Sequence, residues 1–334
     1  MTRTDSSPPT LQTPVHTMRA AIIQAPGRVE IRDVSLPQPR PDQVRIRIEG
    51  CGVCASNIPP WEGRPWFTYP MAPGVPGHEA WGWVDAVGTE VSQFRVGQRV
   101  AFLSDHAYAQ YDIAGEGHIV SLPDALDGEP FPAEPLGCAM NIHQRCGIRP
   151  GDTVAIVGIG FLGALLTRLA ANAQARVIAI ARRPFAQRIA RHMGATDVIP
   201  MDDHHAIIDR VRHLTNMRLC DIAIECVGKQ WPLDLAAELV RERGRMIIAG
   251  YHQDGLRQCN LQLWNWRGLD IVNAHERDPM IYLQGMRAAV DAVVTGQLNP
   301  RALYTHRFPL DELGQAMEMT RERPDAFMKA MIMM

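Results

Sequence analysis

The sequence lacks a long apolar run, a large net charge and a large share of aromatic residues. No stretch approaches the roughly 20 apolar residues that a membrane-spanning helix needs. A net charge of −2 over 334 residues gives no reason to expect a nucleic acid or a membrane surface as partner. Hydrophobic residues make up 46% and charged residues 21%, the balance of a soluble globular protein. The length fits two domains.

Cysteine pairs are also scarce. Seven cysteines are present, and Cys51 and Cys54 form a C-x-x-C, but no second pair of this spacing exists. A structural zinc site with four cysteines is therefore excluded. The odd number favours reduced thiols, as in the cytoplasm.

Residues 1–17 are polar and Pro-rich without an apolar core, which predicts a disordered leader rather than a signal peptide.

The most informative stretch is Thr153–Arg183. An apolar β-branched run precedes Gly158, Gly160 and Gly163, apolar residues at helical spacing follow, and a second buried-strand run closes the stretch. Strand, G-x-G-x-x-G, helix and strand together predict a dinucleotide site, whereas the glycines alone would also fit an ordinary βα turn. The glycines permit a tight turn, close approach of a pyrophosphate and close helix packing. The helix start then binds phosphate. We expect the site to comprise Gly158, Gly160, Phe161, Leu162 and Gly163.

The end of the second strand predicts which dinucleotide binds. NAD sites usually place a carboxylate there, about 20 residues after the turn, for the ribose 2′-hydroxyl. Here the strand ends with Ala181, Arg182 and Arg183. Two guanidinium groups suit a 2′-phosphate, so the sequence favours NADP(H) over NAD(H). The alternative is that the arginine pair only covers a solvated strand end.

Residues 18–122 read as short alternating runs broken by Gly and Pro, which predicts a β-rich domain of the barrel or roll kind. Cys54 and His78 lie in this part, and a thiolate with an imidazole is what Zn²⁺ prefers. Taken singly, Cys54 would more often be a small buried residue and His78 a turn histidine. A third polar cluster, Glu134 to Cys138, shifts the balance toward a metal site.

The chain resembles the medium-chain dehydrogenases/reductases of the zinc-dependent alcohol and polyol dehydrogenase type. No single motif is specific, but their combination from about Met18 to the C-terminus is. Besides the dinucleotide turn, the matching segments are GVCAS at Gly52–Ser56, GHE at Gly77–Glu79, VDAVGTEVSQFRVGQRV at Val84–Val100, EPLG at Glu134–Gly137 and IECVG at Ile224–Gly228.

The resemblance implies an α/β fold: a GroES-like β-rich catalytic domain plus a Rossmann domain with a doubly wound parallel sheet. We expect residues 18–148 and 273–334 to form the catalytic domain and residues 149–272 the NADP(H)-binding domain. It also implies a small-molecule alcohol or carbonyl substrate, a homodimer or homotetramer, and a cytoplasmic protein.

The resemblance implies roles at matching positions. Cys54 and His78 match two ligands of one catalytic Zn²⁺, and Glu79 matches an acid that is a ligand or near-ligand in different members. Glu134 matches the position that is cysteine in simple alcohol dehydrogenases and glutamate in polyol and sugar dehydrogenases. Cys138 is a rival for the third ligand, four residues beyond the aligned position. Ser56 matches the hydroxyl that touches the substrate oxygen and begins the proton relay.

Three residues depart from the family pattern, and the first is Ala181, which replaces the NAD-selecting acid discussed above. Asn57 stands where the family usually has an Asp that orients the histidine ligand. Pro59 stands where many members have a relay histidine, so a proton path would run through water, ribose or another residue.

Val227 and Tyr251 match positions beside the cofactor.

The sequence leaves two interpretations open for the aromatic residues of one Pro-rich loop. Trp61, Trp66 and Phe67 fall in this loop, which borders the substrate cleft in the resembling folds. They either line the cleft or pack the loop onto its own domain. Trp264, Trp266 and His275 border either the cleft or a subunit contact.

Three functions remain in competition. The leading hypothesis is a zinc- and NADP(H)-dependent alcohol dehydrogenase or carbonyl reductase. The second is a zinc-free quinone or enoyl reductase of the same superfamily, against which the Cys, GHE and EPL motifs argue. The third is a catalytically inactive NADP(H)-binding protein, which only Asn57 and Pro59 support.

Overall fold

The computed structural model describes residues 16–334. Its first part is built mainly of antiparallel strands, with one short and one long helix. The elements are β1 (Thr17–Ala25), β2 (Arg28–Ser35), β3 (Gln43–Gly52), α1 (Ile58–Glu62), β4 (Glu79–Val87), β5 (Arg99–Leu103), β6 (Tyr111–Gly115), β7 (Ile119–Ser121) and α2 (Ala133–Cys146). Strands β1 and β2 form a separate hairpin.

The middle of the chain alternates strands and helices. The elements are β8 (Thr153–Val157), α3 (Phe161–Asn172), β9 (Arg176–Ala181), α4 (Pro184–His192), β10 (Asp197–Pro200), α5 (His204–Leu214), β11 (Cys220–Glu225), α6 (Gln230–Leu239), β12 (Val240–Ile248), α7 (Leu261–Arg267) and β13 (Asp270–Asn273). The strands form one six-stranded parallel sheet in the order β10-β9-β8-β11-β12-β13. The strand order reverses between β8 and β11, and ligands of such sheets bind at the carboxyl ends of the strands on either side of this point.

The remaining elements are α8 (Pro279–Val294), β14 (His306–Pro309), α9 (Leu313–Glu322) and β15 (Ala330–Met333). Strand β15 pairs antiparallel with β3 and parallel with β14, so the end of the chain completes the first sheet. That sheet has seven strands in the order β14-β15-β3-β4-β5-β7, with β6 pairing with β3. The predicted domain boundaries at 148/149 and 272/273 remain a prediction; the parallel sheet begins at Thr153 and ends at Asn273.

Helices α2 and α8 pack closely because two glycines meet between them. A Cβ atom at Gly137 would lie 2.6 Å from the Met286 nitrogen, and one at Gly285 would lie 2.5 Å from the Gly137 carbonyl oxygen. Asn141 of α2 also donates to the Ile281 carbonyl at 2.9 Å. These contacts fix α2, and with it the acid in its first turn, Glu134.

Among residues 16–334, no helix is long and apolar enough to cross a membrane. The leader predicted for residues 1–17 falls mostly outside the described part of the chain, and strand β1 begins at its last residue, Thr17.

Candidate active site

A cleft of about 1070 Å³ runs between the antiparallel and the parallel sheet. Cys54, His78 and Glu134 line it from the antiparallel side, and Gly160 and Arg182 line it from the parallel side. The two groups of residues that the sequence singled out separately therefore face the same space.

Three potential metal ligands converge at one end of the cleft. The register of β3 and β4 pairs Gly52 with Glu79, so the turn after β3 lies beside the start of β4. This pairing brings together Cys54, His78 and Glu79, and one ligand atom from each lies within 4.8 Å of the other two. Thiolate, imidazole and carboxylate are ligands that Zn²⁺ accepts.

Hydrogen bonds fix the orientation of His78. Its Nδ1 lies 2.9 Å from the Pro76 carbonyl oxygen and donates to it, because that oxygen can only accept. The other ring nitrogen, Nε2, lies 3.5 Å from the Ser56 hydroxyl and is left to act as a ligand. Burial lowers the pKa of His78, but a hydrogen bond that its ring donates to the Cys54 thiolate, together with the negative charge of that thiolate, outweighs burial and raises the pKa to about 10.

Glu79 is fully buried and carries a free oxygen. Its Oε1 accepts from the Lys329 ammonium at 2.5 Å, while Oε2 has no hydrogen-bond partner among the described residues. Burial lowers the pKa of Lys329, and the negative charge of Glu79 opposes this and raises it overall. Buried polar atoms nearly always have partners, so an oxygen without one beside Cys54 and His78 fits a bound cation. The residues present therefore fit the zinc ion that the sequence implies.

Glu134 and Cys138 lie beside this cluster but outside it. They stand one helical turn apart on α2, and the Cys138 thiol donates to Glu134 Oε1 at 3.1 Å. Burial raises the pKa of Glu134; the positive charge of His78 lowers it, and the negative charge of Glu79 raises it again. Ligation by Glu134 remains a prediction, and the thiol of its rival Cys138 is turned toward the carboxylate.

Asn57 supports the cysteine turn, and its Nδ2 also lies 3.5 Å from His78 Nδ1. Its Oδ1 accepts from the Cys54 backbone nitrogen at 3.1 Å and from the Tyr108 hydroxyl at 2.7 Å. Its Nδ2 donates at 2.9 Å to the same Pro76 carbonyl that holds His78. The orienting role expected of a carboxylate is thus filled by a backbone carbonyl, which has no signature in a sequence. Tyr108 was also missed, because nothing in its surroundings marks it as a partner of Asn57.

The dinucleotide turn has the geometry that its glycines require. Gly158 has a φ of +98°, and a Cβ atom there would lie 2.2 Å from Val227 Cγ2. A Cβ atom at Gly163 would lie 2.1 Å from the Gly158 carbonyl oxygen, so Gly163 lets α3 approach the strand. At Gly160, which precedes α3, a Cβ atom would meet nothing within 4 Å. The open side of the turn therefore faces the cleft.

The other predicted cofactor residues divide into two groups. Ala181 is buried, and Gly158 and Gly163 shape the turn from within. The residues that line the cleft are Gly160, Phe161, Leu162, Arg182, Arg183, Val227 and Tyr251. Tyr251 also stacks on His275, with 5.3 Å between ring centroids. Binding of the cofactor by these residues remains a prediction.

The two arginines after β9 have different surroundings. Arg183 Nη1 donates to the carbonyl oxygens of Pro324 at 3.0 Å and Phe327 at 2.6 Å, and so ties the C-terminal segment to the parallel sheet. Arg182 lines the cleft and forms no side-chain hydrogen bond within the described part of the chain. Of the pair, Arg182 is the one whose guanidinium is available to a ligand.

The aromatic loop residues do not line the cleft. Trp61 is 3% exposed and donates from Nε1 to Glu318 Oε1 at 2.6 Å, which packs its loop onto helix α9. Trp66 is 57% exposed on the surface. Of the two interpretations left open for these residues, packing within their own domain is the one that fits Trp61.

Comparisons with known proteins agree with this arrangement. A family described as "Alcohol dehydrogenase GroES-like domain" matches residues 40–126, and one described as "Zinc-binding dehydrogenase" matches residues 149–290. A sorbitol dehydrogenase of Bacillus subtilis is 25% identical over 94% of this chain and 97% of its own. A quinone oxidoreductase of Pseudomonas aeruginosa is 30% identical over 73% of this chain and 75% of its own.

Solved structures share the fold. A crystal structure from Sinorhizobium meliloti 1021, described as a zinc-binding dehydrogenase bound to NADP, superposes with a TM-score of 0.83 at 24% identity. The superposition covers 95% of this chain and 99% of that one. The predicted α/β fold, with a GroES-like β domain and a parallel Rossmann sheet, is confirmed, and the sheet has six strands.

Fold and site together define a nicotinamide-cofactor oxidoreductase. The chain belongs to the medium-chain zinc-binding dehydrogenase superfamily, with relatives among its alcohol and polyol dehydrogenases. The resemblance on which the sequence analysis relied is thereby confirmed.

Proposed function

We propose that the protein is a zinc- and NADP(H)-dependent alcohol dehydrogenase or carbonyl reductase. The observation that carries the proposal is the convergence of Cys54, His78 and Glu79 at one end of a cleft that the dinucleotide turn borders. Oxidation converts an alcohol and NADP⁺ into a carbonyl compound, NADPH and a proton; reduction is the reverse.

Cys54, His78 and Glu79 would hold the zinc ion, with Glu134 next to them as a further candidate ligand. When bound, zinc supplies a Lewis acid that stabilises negative charge on the substrate oxygen. The Pro76 carbonyl accepts from His78 Nδ1, so Nε2 is the ring nitrogen that would bind the metal. The Cys138 thiol donates a hydrogen bond to Glu134 Oε1 and so occupies one of the oxygens that a metal ion would need.

Ser56 is the residue to which we assign the movement of the proton. Its hydroxyl lines the cleft and lies 3.5 Å from His78 Nε2, at the edge of the ligand cluster. In oxidation Ser56 accepts the proton of the alcohol, and in reduction it donates one to the carbonyl oxygen. A bound nicotinamide would supply the hydride chemistry at the carbon that bears this oxygen. Pro59 lines the same region and offers no titratable group, so the path beyond Ser56 would run through water, the cofactor ribose or another residue.

Cofactor choice rests on the end of β9. Ala181 leaves no carboxylate there to repel a 2′-phosphate, and the guanidinium of Arg182 faces the cleft without a protein partner in the described residues. A complex of a structural relative with NADP is consistent with this choice. Since cells keep NADP mostly reduced, we propose carbonyl reduction as the working direction, in a cytoplasmic homodimer or homotetramer.

Metal analysis with a matched pair of cysteine variants tests the proposal. We expect freshly purified protein to hold about one zinc per chain, and Cys54→Ala to lose both zinc and turnover while it still binds NADPH. Cys259→Ala is the control, because Cys259 is exposed and outside the cleft. Less than about a tenth of an equivalent of zinc, with no activation by added zinc, would refute the zinc mechanism.

The similarity to a quinone oxidoreductase favours a second candidate, a zinc-free quinone or enoyl reductase. The two functions differ in their dependence on Cys54. A zinc-free reductase would keep its NADPH oxidation after treatment with a chelator and in Cys54→Ala. A catalytically inactive protein would bind NADPH but oxidise it with no aldehyde, ketone or quinone.

A further inference from the structure

A buried carboxylate holds the turn that follows β11. Glu225 is fully buried, and its Oε1 accepts from the backbone nitrogens of Val227 at 2.7 Å and Gly228 at 2.8 Å. Its Oε2 accepts from His252 Nε2 at 3.1 Å and from no other group within residues 16–334. A buried carboxylate oxygen without a partner is costly, so His252 completes the support of this turn.

Arg257 fixes the orientation of the His252 ring. Its Nε donates to His252 Nδ1 at 3.0 Å, and since a guanidinium group can only donate, Nδ1 carries no proton. The ring proton therefore lies on Nε2, which donates to Glu225. Arg257 also donates from Nη2 to the Gly228 carbonyl at 2.8 Å and pairs with Asp254. These bonds close a ring of hydrogen bonds between the turn after β11 and the segment after β12.

Two glycines let these two segments approach each other closely. A Cβ atom at Gly250 would lie 2.5 Å from Glu225 Oε2, and one at Gly228 would lie 2.5 Å from the Tyr251 carbonyl oxygen. Side chains at these positions would push the segments apart. The close approach and the ring of hydrogen bonds together fix where Tyr251 stands.

The ring of hydrogen bonds lies beside the end of the cleft where the potential metal ligands converge. Tyr251 and Gln253, on either side of His252, line the cleft, whereas His252 itself does not. Gln253 Nε2 donates at 3.4 Å to the carbonyl of Ala55, in the turn that holds the cysteine ligand. The end of β9, where Arg182 stands, lies on the other side of the point where the strand order reverses.

We propose that His252 is a positioning residue that fixes Val227 and Tyr251 against the nicotinamide ring. This inference rests on the proposed function, in which both residues border the cofactor and hydride transfer takes place beside the metal ligands. Hydride transfer requires a correctly placed nicotinamide, and a displacement of about 1 Å can cost roughly a hundredfold in rate. The adenosine half of the cofactor, bound at the end of β9, should not depend on His252.

His252→Phe is the sharpest variant because it keeps an aromatic ring and removes both hydrogen bonds. The dissociation constant of NADPH, measured by calorimetry on the zinc-loaded protein, should rise roughly tenfold. The rate of hydride transfer to an aldehyde in a single turnover should fall roughly tenfold to a hundredfold. Adenosine 2′,5′-bisphosphate contains only the adenosine half, and its dissociation constant should stay nearly unchanged. A general loss of stability would not separate the two halves of the cofactor in this way.

Further variants show whether the hydrogen bonds themselves matter. His252→Gln carries a donor and an acceptor on one side chain and should recover most of the loss. Arg257→Leu opens the ring of hydrogen bonds from its other side, and its effect combined with that of His252→Phe should be less than additive. His205→Phe, at an exposed histidine outside the cleft, is the matched control and should behave as the unaltered protein does.

Two results with His252→Phe would overturn the proposal. Equal losses for NADPH and adenosine 2′,5′-bisphosphate would assign the hydrogen bonds to the whole cofactor site, and unchanged NADPH binding with an unchanged single-turnover rate would leave them no role. If the unaltered protein prefers NADH, the proposed cofactor is wrong, but a loss for NADH with unchanged binding of AMP still supports the role of His252. If it reduces no aldehyde or ketone, the proposed function fails, and the comparison of the dinucleotide with its adenosine half still decides this proposal.

Discussion

The burial of the Glu79–Lys329 ion pair predicts how much stability the protein loses when one partner is removed. The two side chains are 0% and 6% exposed, and Lys329 Nζ also lies 4.8 Å from the centroid of the Phe161 ring. Lys329→Met keeps the aliphatic volume but leaves the Glu79 carboxylate buried without its partner. Removing one member of a buried pair typically costs about 3–5 kcal/mol, against about 0–1 kcal/mol for an exposed pair.

We therefore expect Lys329→Met to lower the free energy of unfolding of zinc-free protein by about 3 kcal/mol or more. The double variant Glu79→Gln/Lys329→Met should recover much of the loss, because no unpaired charge stays buried. Zinc should also reduce the loss, because its positive charge would lie beside Glu79. Unfolding by guanidinium chloride, followed by tryptophan fluorescence, measures these differences as long as the slope m is unchanged.

The control is Arg321→Ala, which breaks a pair whose side chains are each 41% exposed and should change the free energy of unfolding by less than about 1 kcal/mol. If Lys329→Met costs no more than this control in zinc-free protein, then Glu79 does not depend on Lys329, and the argument from burial fails.

Two further predictions concern the cofactor. Arg182→Ala should raise the dissociation constant of NADPH roughly tenfold to a hundredfold and leave that of NADH nearly unchanged; equal effects in fluorescence titrations would refute the 2′-phosphate contact. Gly160→Ala should fold normally but bind both cofactors more weakly, because its methyl group enters the open side of the turn. Gly163→Ala should instead destabilise the protein by about 1–3 kcal/mol, since its methyl group meets the Gly158 carbonyl; thermal unfolding and calorimetry of the two variants distinguish these effects.

The parts of the fold that could be predicted are those in which local spacing determines geometry. Gly158 and Gly163 stand where the turn admits only glycine, Gly160 leaves the open side of the turn clear, and apolar runs on either side encode buried strands. The convergence of Cys54 with His78 could be inferred only through the resemblance, because it depends on the pairing of β3 with β4.

Other features of the site depend on contacts that no local pattern contains. Lys329 meets Glu79 across 250 positions of sequence, through the pairing of β15 with β3. The support of His78 is a backbone carbonyl, at Pro76, which every residue possesses. Arg183 was predicted to contact the cofactor phosphate together with Arg182, but its bonds to the C-terminal segment become visible only once that segment is placed.

The pairing of β15 with β3 has a consequence for synthesis on the ribosome. The parallel sheet, Thr153–Asn273, is complete in sequence before α8 is translated and can fold as a unit, as domains commonly do during synthesis. The antiparallel sheet instead needs residue 333 to emerge before its strand order can close. Until then Glu79 has no ammonium partner and Cys54 lies at an unfinished edge. In a nascent chain the parallel sheet can therefore fold well before the surroundings of Cys54, His78 and Glu79 are complete.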